Sequence, residues 1–527
     1  MLRIGVDVGG TNTDAVLMDG RRLLAFHKSP TTANVSDGIV AAIRTVLQAK
    51  GSAPVAPETI GAVMIGTTHF TNAFVERRNL VPVGVIRIAL PAARGVPPMT
   101  DWPADFVTAI GGHIANVRGG YQFDGRINAE LDEIAVAAAA RAMRAKGIKA
   151  AAICGLFSPL NAAMEERAAE IVTDEAPDIS VTLSSRIGRI GLLERENAAI
   201  MNASLAAMAG GVVAAFGAAL KTLGISAPFF ISQNDGTLMR AEQVAKYPVL
   251  TFASGPTNSM RGAAYLSGLD NALIADIGGT TTDIGMLTGG FPRESAVSSD
   301  IGGVRTNFRM PDILALGLGG GSLVRGDGDG VRIGPRSVGF RLPQVGRVFG
   351  GDILTASDIA VAAGYAEMGD RSRVAGLDPV LVEAAAAEIH RLFAEGIDRM
   401  KTSAAPVPLV LVGGGSVLIN RKIPGVSDVI VPEGAPVANA IGASIAQASG
   451  EVDRVFSYEQ LGREGAIAAA TAEAERIAVE SGADEGTLRV AEIEELPLAY
   501  VPGGAVRLRV KVTGDLNLSA AIPGGRA

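Results

Sequence analysis

The sequence predicts an α/β fold built from two related lobes, and three observations predict it. Residues 4–17 (IGVDVGGTNTDAVL) and 274–287 (IADIGGTTTDIGML) share the core Asp-x-Gly-Gly-Thr-x-Thr-Asp, with six of eight core positions identical. The copies lie too far apart for a short solenoid repeat, and apolar β-type residues frame each one. They read as the opening strand–turn–strand units of two similarly folded domains. Second, strand-like apolar runs alternate with helix-length periodic runs, the signature of α/β layers. Third, 48% of the 527 residues are hydrophobic, 66 are Gly and one is Cys. That composition fills a core and supplies many tight turns. It excludes a disordered chain, and with no three-residue Gly period and a lone Cys it also excludes a collagen-like chain and a disulfide scaffold.

In chain order, a strand over 2–8 carries Asp7 near its end and meets Gly9-Gly10, with a second strand over 15–18. Strands over 59–65 and 82–88 flank a helix over 71–78. A helix over 129–146 is closed by Gly147, because a glycine accepts the left-handed conformation that ends a helix. A strand over 150–156, a helix over 161–176 and a strand over 179–183 follow. Residues 192–220 form a long, mostly helical connector. A strand over 229–233 precedes helices over 241–247 and 256–266, the latter ending near Gly268. The second copy contributes strands over 272–277 and 284–287. Helices over 359–366 and 379–401 lead to an apolar strand over 408–412, which runs into Gly413-Gly414-Gly415-Ser416. A helix is expected over 437–448, and the Ala/Glu-rich stretch 453–481 reads as another, with Glu451, Asp453 and Arg454 merely solvated at its start. The tail 488–513 alternates as strands around Pro502-Gly503-Gly504, and fraying is expected from about 517. The expected units are an N-terminal lobe (1–190), a second lobe with the connecting helix (191–450) and a small C-terminal α+β region (451–527).

Lys and Arg total 47 against 54 Asp and Glu, a net charge of −7, and no basic block stands out. A phosphate-tracking nucleic-acid surface is therefore disfavoured. The N-terminus lacks the charged and apolar regions of a secretion signal. Gly or polar residues interrupt every apolar stretch before about 18 positions, so no membrane span is expected and a cytoplasmic location is. His27, His113 and His390 show no metal-ligand spacing. Cys154 sits in an apolar run as an ordinary buried thiol. Ser254, in Ala-Ser-Gly-Pro, lacks the Gly-x-Ser-x-Gly elbow of a hydrolase nucleophile.

Chemistry concentrates in the two repeated loops. Their glycines permit positive φ and close backbone approach, and their oriented N–H groups can cradle an anion such as phosphate. Two such loops, with a third Gly-rich turn at 413–415, resemble the actin/Hsp70/sugar-kinase ATPase superfamily. Within it, five ordered motifs narrow the match: 65–79 (IGTTHFTNAFVERRN), 232–239 (SQNDGTLM), 253–258 (ASGPTN), 275–284 and 317–322 (GLGGGS). They resemble the hydantoinase/oxoprolinase family, which includes A-type subunits of ATP-dependent hydantoinases, lactamases and related carboxylases.

The resemblance implies two actin-like (ribonuclease H-like) lobes with ATP and Mg²⁺ in the cleft between them. By motif, Asp7 and Asp276 orient the metal and are catalytic. Gly9, Gly10, Thr11, Asn12 and Thr13, with Gly278, Gly279, Thr280, Thr281 and Thr282, contact phosphates. Gly319 and Gly320 join the nucleotide site, and Gly413, Gly414 and Gly415 border the adenosine. Asp14 and Asp283 are candidates for a base or water-positioning group, or else they cap the turns. Thr67, Thr68 and His69 face substrate or phosphate, or else begin a helix. The implied activity is an ATP-dependent hydrolase that activates a cyclic amide (hydantoin, oxoproline or lactam) by phosphoryl transfer, with a separate B-type or other partner subunit in an oligomer. A regulatory ATPase acting on a partner protein and a small-molecule kinase are the alternatives. Two departures from the family pattern stand out. Leu314 occupies the place where many members carry His, and 194–199 lacks a Thr-rich run.

Overall fold

In a computed structural model describing residues 1–9, 12–30, 35–48, 54–327, 330–499, 501 and 503–518, the repeated motif becomes a repeated piece of sheet. Strand Leu2–Val8 pairs antiparallel with Asn12–Asp19 and parallel with Ile60–Thr67. Strand Ala272–Ile277 pairs antiparallel with Thr282–Thr288 and parallel with Val407–Val412. A third strand then pairs antiparallel with each hairpin, Arg22–Pro30 in the first copy and Ile313–Leu316 in the second. Buried aliphatic side chains on one face of these strands form the main cores of the two lobes, Ile4, Val6 and Ile65 in one and Leu273, Ala275 and Leu411 in the other.

The first sheet has nine strands, in the order Arg489–Pro497, Ala505–Gly514, Ala448–Ser457, Leu238–Arg240, Phe229–Ser232, Ile60–Thr67, Leu2–Val8, Asn12–Asp19 and Arg22–Pro30. Sheet membership therefore departs from the expected division at 190 and 450. Strands within 229–240 and 448–514 complete the sheet that begins at Leu2, so the described strands after 450 are not a separate layer. The helix expected over 453–481 starts only at Tyr458, because Ala448–Ser457 is a strand. Its acidic residues face the basic strand Ala505–Gly514, with Glu451 opposite Lys511 and Asp453 opposite Arg509. Opposite charges across a ladder favour pairing. Glu451 and Asp453 are thus ion-paired, with Arg509 Nε at 2.7 Å and Arg507 Nε at 2.7 Å respectively. Arg454 pairs with Glu473. Of the expected tail turn, Pro502 lies outside the described residues, and Gly503 and Gly504 have φ of +83° and +58°.

An all-parallel four-stranded sheet (Gly111–Arg118, Val83–Leu90, Ala150–Gly155, Ser180–Leu183) forms a satellite of the first lobe. The connector helix Leu192–Thr222 packs against it. By length and composition this helix could cross a membrane, contrary to the sequence expectation. Here its residues 195–205 are buried in the protein. Arg87 Nε donates to Glu196 Oε1 at 2.9 Å, and Trp102 Nε1 donates to Asn197 Oδ1 at 2.8 Å. The residues standing where a Thr-rich run was expected therefore tie the satellite to the main body. Cys154 is buried as expected, its thiol pushed up to about 12 chiefly by burial.

Two helices, Ser254–Ser267 and Ala438–Ile445, join the lobes. Ala438–Ile445 packs on Leu2–Val8, and Ser254–Ser267 packs on Ala272–Ile277. The two cross with backbones in contact. A Cβ on Gly262 would lie 1.9 Å from the Ala438 carbonyl, and one on Gly442 would lie 1.9 Å from the Asn258 carbonyl. Gly5 meets Ala440 in the same way at 2.2 Å. Backbone cannot yield as a flexible side chain does, so Gly442→Ala is expected to cost about 1–3 kcal/mol, the range for overpacking. Urea unfolding measures this, and an unchanged midpoint would contradict it.

Candidate functional site

The two repeated hairpins are geometric copies. Gly9 N–H donates to the Asn12 carbonyl at 2.9 Å, and Gly278 N–H donates to the Thr281 carbonyl at 2.9 Å. Asp7 stands opposite Asp14 in one ladder, and Asp276 stands opposite Asp283 in the other. Gly10 and Thr11, expected phosphate contacts, lie outside the described residues. Asn12 and Gly9 are half-buried, and Thr280 and Thr281 are exposed at the second hairpin tip. Thr13 and Thr282 are buried instead. The Thr282 hydroxyl donates to the Leu318 carbonyl at 2.7 Å, so this side chain anchors the GLGGGS segment and does not point to a ligand.

That segment wraps the second loop. Gly320 N–H donates to the Gly278 carbonyl at 3.0 Å, and Gly321 N–H donates to the Gly279 carbonyl at 2.7 Å. A Cβ on Gly319 would lie 2.7 Å from the Gly278 carbonyl oxygen and the Thr280 nitrogen. Gly413, at φ +82°, and Gly415 crowd Ile277 from the other side. Gly279 and Gly414 have open space where a side chain would stand. The glycine-rich turns at 278, 319 and 413 therefore converge, as the sequence predicts, but most of them are needed for backbone contact with one another.

The crossing helices supply the residues that the sequence motifs did not assign. Asn258 Nδ2 donates to Asp7 Oδ1 at 3.4 Å, and the next residue, Ser259, donates from Oγ to Asp276 Oδ2 at 2.5 Å. Adjacent positions on one helix thus hold the equivalent aspartates of the two lobes. From the other helix, Asn439 Nδ2 donates to Asp7 Oδ2 and Asp14 Oδ2, both at 3.0 Å. Lys28 Nζ donates to Asp14 Oδ2 at 2.8 Å. Ser254 is buried, donating to the Thr67 carbonyl at 2.9 Å and accepting from Thr67 N–H at 3.2 Å. It is structural, in keeping with the missing nucleophile elbow.

Thr67 pairs with Val8 in the parallel ladder, which places Thr67, Thr68 and His69 beside the first loop. The Thr67 hydroxyl accepts from His69 N–H at 3.2 Å, so these residues also begin the helix His69–Val75. Burial holds His69 below its ordinary value, with Arg78 adding to the effect. Leu314 lies in the strand paired with Thr282–Thr288, opposite Ile284, and packs on the second core.

The duplicated acids differ in their surroundings. The third strand puts Lys28 opposite Asp14 but Ala315 opposite Asp283. Asp14 is accordingly neutralised within the protein. The Asp283 carboxyl makes no hydrogen bond or ion pair among the described residues, and burial together with Asp276 pushes it up to about 7. Burial, Asp14 and Asp276 push Asp7 up to about 6. Burial also raises Asp276.

These carboxylates form an acidic cluster with acceptors to spare. Among the described residues, Asp14 Oδ1 and Asn258 Oδ1 are buried with no hydrogen-bond donor. Orphaned acceptors beside raised carboxylates fit a cation. Among the described residues no three His, Cys, Asp or Glu side chains form a ready-made metal cage. Mg²⁺ needs none, since it takes one or two carboxylates and completes its shell with water and phosphate oxygens.

Two hairpin-led lobes that carry paired Asp-x-Gly-Gly loops and are joined by a pair of crossed helices have the actin-like class of fold. Within that class, the hydantoinase/oxoprolinase N-terminal region matches residues 3–176 and the hydantoinase/oxoprolinase region matches residues 195–397. The chain belongs to the hydantoinase/oxoprolinase family. It is 29% identical over 389 residues to the caprolactamase subunit alpha of Pseudomonas jessenii, an alignment covering 69% of this chain and 54% of that one. It is 28% identical over 397 residues to the acetophenone carboxylase gamma subunit of Aromatoleum aromaticum, covering 69% and 53%. The chain therefore spans about half the length of these curated relatives. Its fold matches the crystal structure of the ATP-dependent caprolactamase from Pseudomonas jessenii with a TM-score of 0.79 at 22% identity, over 98% of this chain and 88% of that one. Nucleotide-free acetone carboxylase matches with a TM-score of 0.68 at 20% identity, over the same shares.

Because the folded Asp283 carboxyl titrates above its ordinary 3.8, the folded state holds that proton more tightly than the unfolded chain between about pH 4 and 7. Its contribution to stability therefore falls as pH rises through that window. Asp283→Asn is expected to be more stable than the parent by about 1 kcal/mol or more at pH 8 and equal to it at pH 4. Denaturant titrations at the two pH values test this, and a gap that does not change with pH would contradict it.

Proposed function

We propose that this protein uses ATP in the interlobe cleft to phosphorylate the carbonyl oxygen of a cyclic amide, as one subunit of a larger enzyme. The observation that carries the reading is the convergence of Asp7 and Asp276, one from each lobe, on neighbouring residues of a single helix. Two Gly-rich loops, two acids and spare acceptors suit a metal–triphosphate, where transfer depends on positioning and charge stabilisation. Asp7 and Asp276 would hold Mg²⁺ through its water shell, with Asn258 Oδ1 and Asp14 Oδ1 as further acceptors. When bound, the ion would neutralise charge developing on the phosphate oxygens.

An amide carbonyl is a poor electrophile because nitrogen donates into it. Asp283, unpaired and titrating near neutrality, is matched to accept the amide N–H proton. The nitrogen electrons then form C=N, the oxygen attacks the γ-phosphorus, and the bond to the β-phosphate oxygen breaks. The products are ADP and an O-phosphorylated imidate. Addition of water to the C=N carbon would give a tetrahedral adduct. Departure of the protonated ring nitrogen from it would open the ring to an acyl phosphate, and a second water would release phosphate and leave the carboxylate. We assign these steps to a partner subunit, since the relatives are named as subunits. Lys28 and Asn439 leave Asp14 a positioning role. Thr67, Thr68 and His69, beside the first loop, are placed to line the substrate side.

The test is calorimetric nucleotide binding followed by ADP formation with caprolactam, hydantoin or 5-oxoproline, alone and with the partner subunit. Asp7→Asn and Asp276→Asn are each expected to lower Mg²⁺-dependent ADP formation by about 10²-fold or more, the scale for losing one preorganised electrostatic contact. Asp283→Asn should lower ADP formation while leaving nucleotide binding intact. Failure of the parent protein to bind any nucleotide would overturn the reading.

A further inference from the structure

A second cavity of about 900 Å³ lies at the seam where the C-terminal half of helix Ser254–Ser267, the turn at 288–292 and the strands Arg489–Pro497 and Ala505–Gly514 meet. None of the phosphate-loop residues lines it. Its walls carry five cations, Arg21, Arg261, Arg293, Arg489 and Lys511. Two of these are compensated, Arg293 by Asp312 at 2.6 Å and Lys511 by Asp235 at 2.6 Å. Arg21, Arg261 and Arg489 form no ion pair among the described residues. Of the lining acids, Glu294 and Glu492 are engaged by Arg509, and only Asp270 is free of an ion pair.

Arg261 is the informative group. A guanidinium has five N–H donors. Among the described residues Arg261 uses one, from Nη1 to the Gly290 carbonyl at 2.5 Å, and its buried Nε has no partner. Its guanidinium lies 4.0 Å over the Phe291 ring, which fixes its plane. Burial holds it down at about 10, with Arg489 adding to the effect and Asp235 and Asp270 only partly opposing it. Arg489 and Arg21 sit at the exposed mouth. Arg489 donates to the Gln447 side chain at 3.0 Å, and Arg21 lies over the Tyr265 ring. A partly buried, under-bonded guanidinium beside two arginines that form no ion pair among the described residues is an incomplete electrostatic arrangement. A forked oxyanion completes it, because a planar guanidinium meets carboxylate or phosphate oxygens in pairs.

We propose that this seam is a binding site for a small multivalent oxyanion, a phosphate or a polycarboxylate, held by Arg261 at the floor and by Arg21 and Arg489 at the rim. The site is separate from the nucleotide cleft and does not depend on what the cleft binds.

The full chain, free of Mg²⁺, is titrated calorimetrically with pyrophosphate and separately with citrate, at constant ionic strength set by chloride. Saturable binding of pyrophosphate alone assigns a phosphate ligand, binding of citrate alone assigns a polycarboxylate, and either supports the site. Arg261→Gln is expected to weaken that binding by roughly tenfold or more, the loss of a charge-assisted forked contact. Arg489→Gln, at an exposed position that leaves the fold intact, is expected to weaken it severalfold. Absence of saturable binding for both anions would overturn the proposal. So would equal affinity in the parent, Arg261→Gln and Arg489→Gln, which would place the ion elsewhere.

Discussion

The backbone contact between helices Ser254–Ser267 and Ala438–Ile445 is the constraint on which the site depends. At Gly262 and Gly442 one helix touches the carbonyls of the other, leaving no room for a methyl group. That approach brings Asn439 within reach of Asp7 and Asp14, and places Asn258 and Ser259 between Asp7 and Asp276. A wider crossing would separate these partners. It would also leave buried carboxylates without donors, a state costlier than losing the hydrogen bonds themselves. The same contact ties the equivalent aspartates of both lobes to one helix, since its neighbouring residues hold them.

Duplication built the site, and divergence made it unequal. Both hairpins keep the same turn and the same pairing of acids. The third strand then sets the chemistry, with a lysine opposite one acid and an alanine opposite the other. Lys28 neutralises Asp14, and Asp283 keeps a raised pKa because nothing replaces the water lost on burial. Concentrating uncompensated carboxylates costs stability in the free protein. Such strain is tolerated where a ligand relieves it, which is why perturbed acids gather at functional sites.

The division between what sequence could and could not reveal follows interaction range. The paired loops were legible because each is a contiguous motif with its own backbone requirement, and the convergence of Gly278, Gly319 and Gly413 followed from the family order of those motifs. Lys28, Asn258, Ser259 and Asn439 were not legible as site residues, since their roles arise from register and from helices that meet only in three dimensions. Thr282 reads as a phosphate contact with the rest of its motif, yet strand alternation turns it inward to Leu318. The stretch 448–457 was read with the helix that follows it. Its charged residues mask the strand pattern until Arg507, Arg509 and Lys511 stand opposite. Likewise the connector was legible as a helix, but the burial of its Arg195, Glu196 and Asn197 among Ser184, Arg87 and Trp102 was not.

The nine-stranded sheet also sets an order of events during synthesis. The strands of the second lobe come from one continuous run, 272–430, whereas the sheet begun at Leu2 waits for strands at 448–457 and 505–514. On the ribosome, the lobe encoded first is therefore completed last. Until those strands emerge, Leu238–Arg240 presents an unpaired edge, and such edges invite mispairing with other chains. Distant closure of this kind slows folding through the entropy of long loops. A nascent chain of this architecture thus has a defined period of vulnerability, during which a chaperone that shields strand edges would act on the unfinished first lobe.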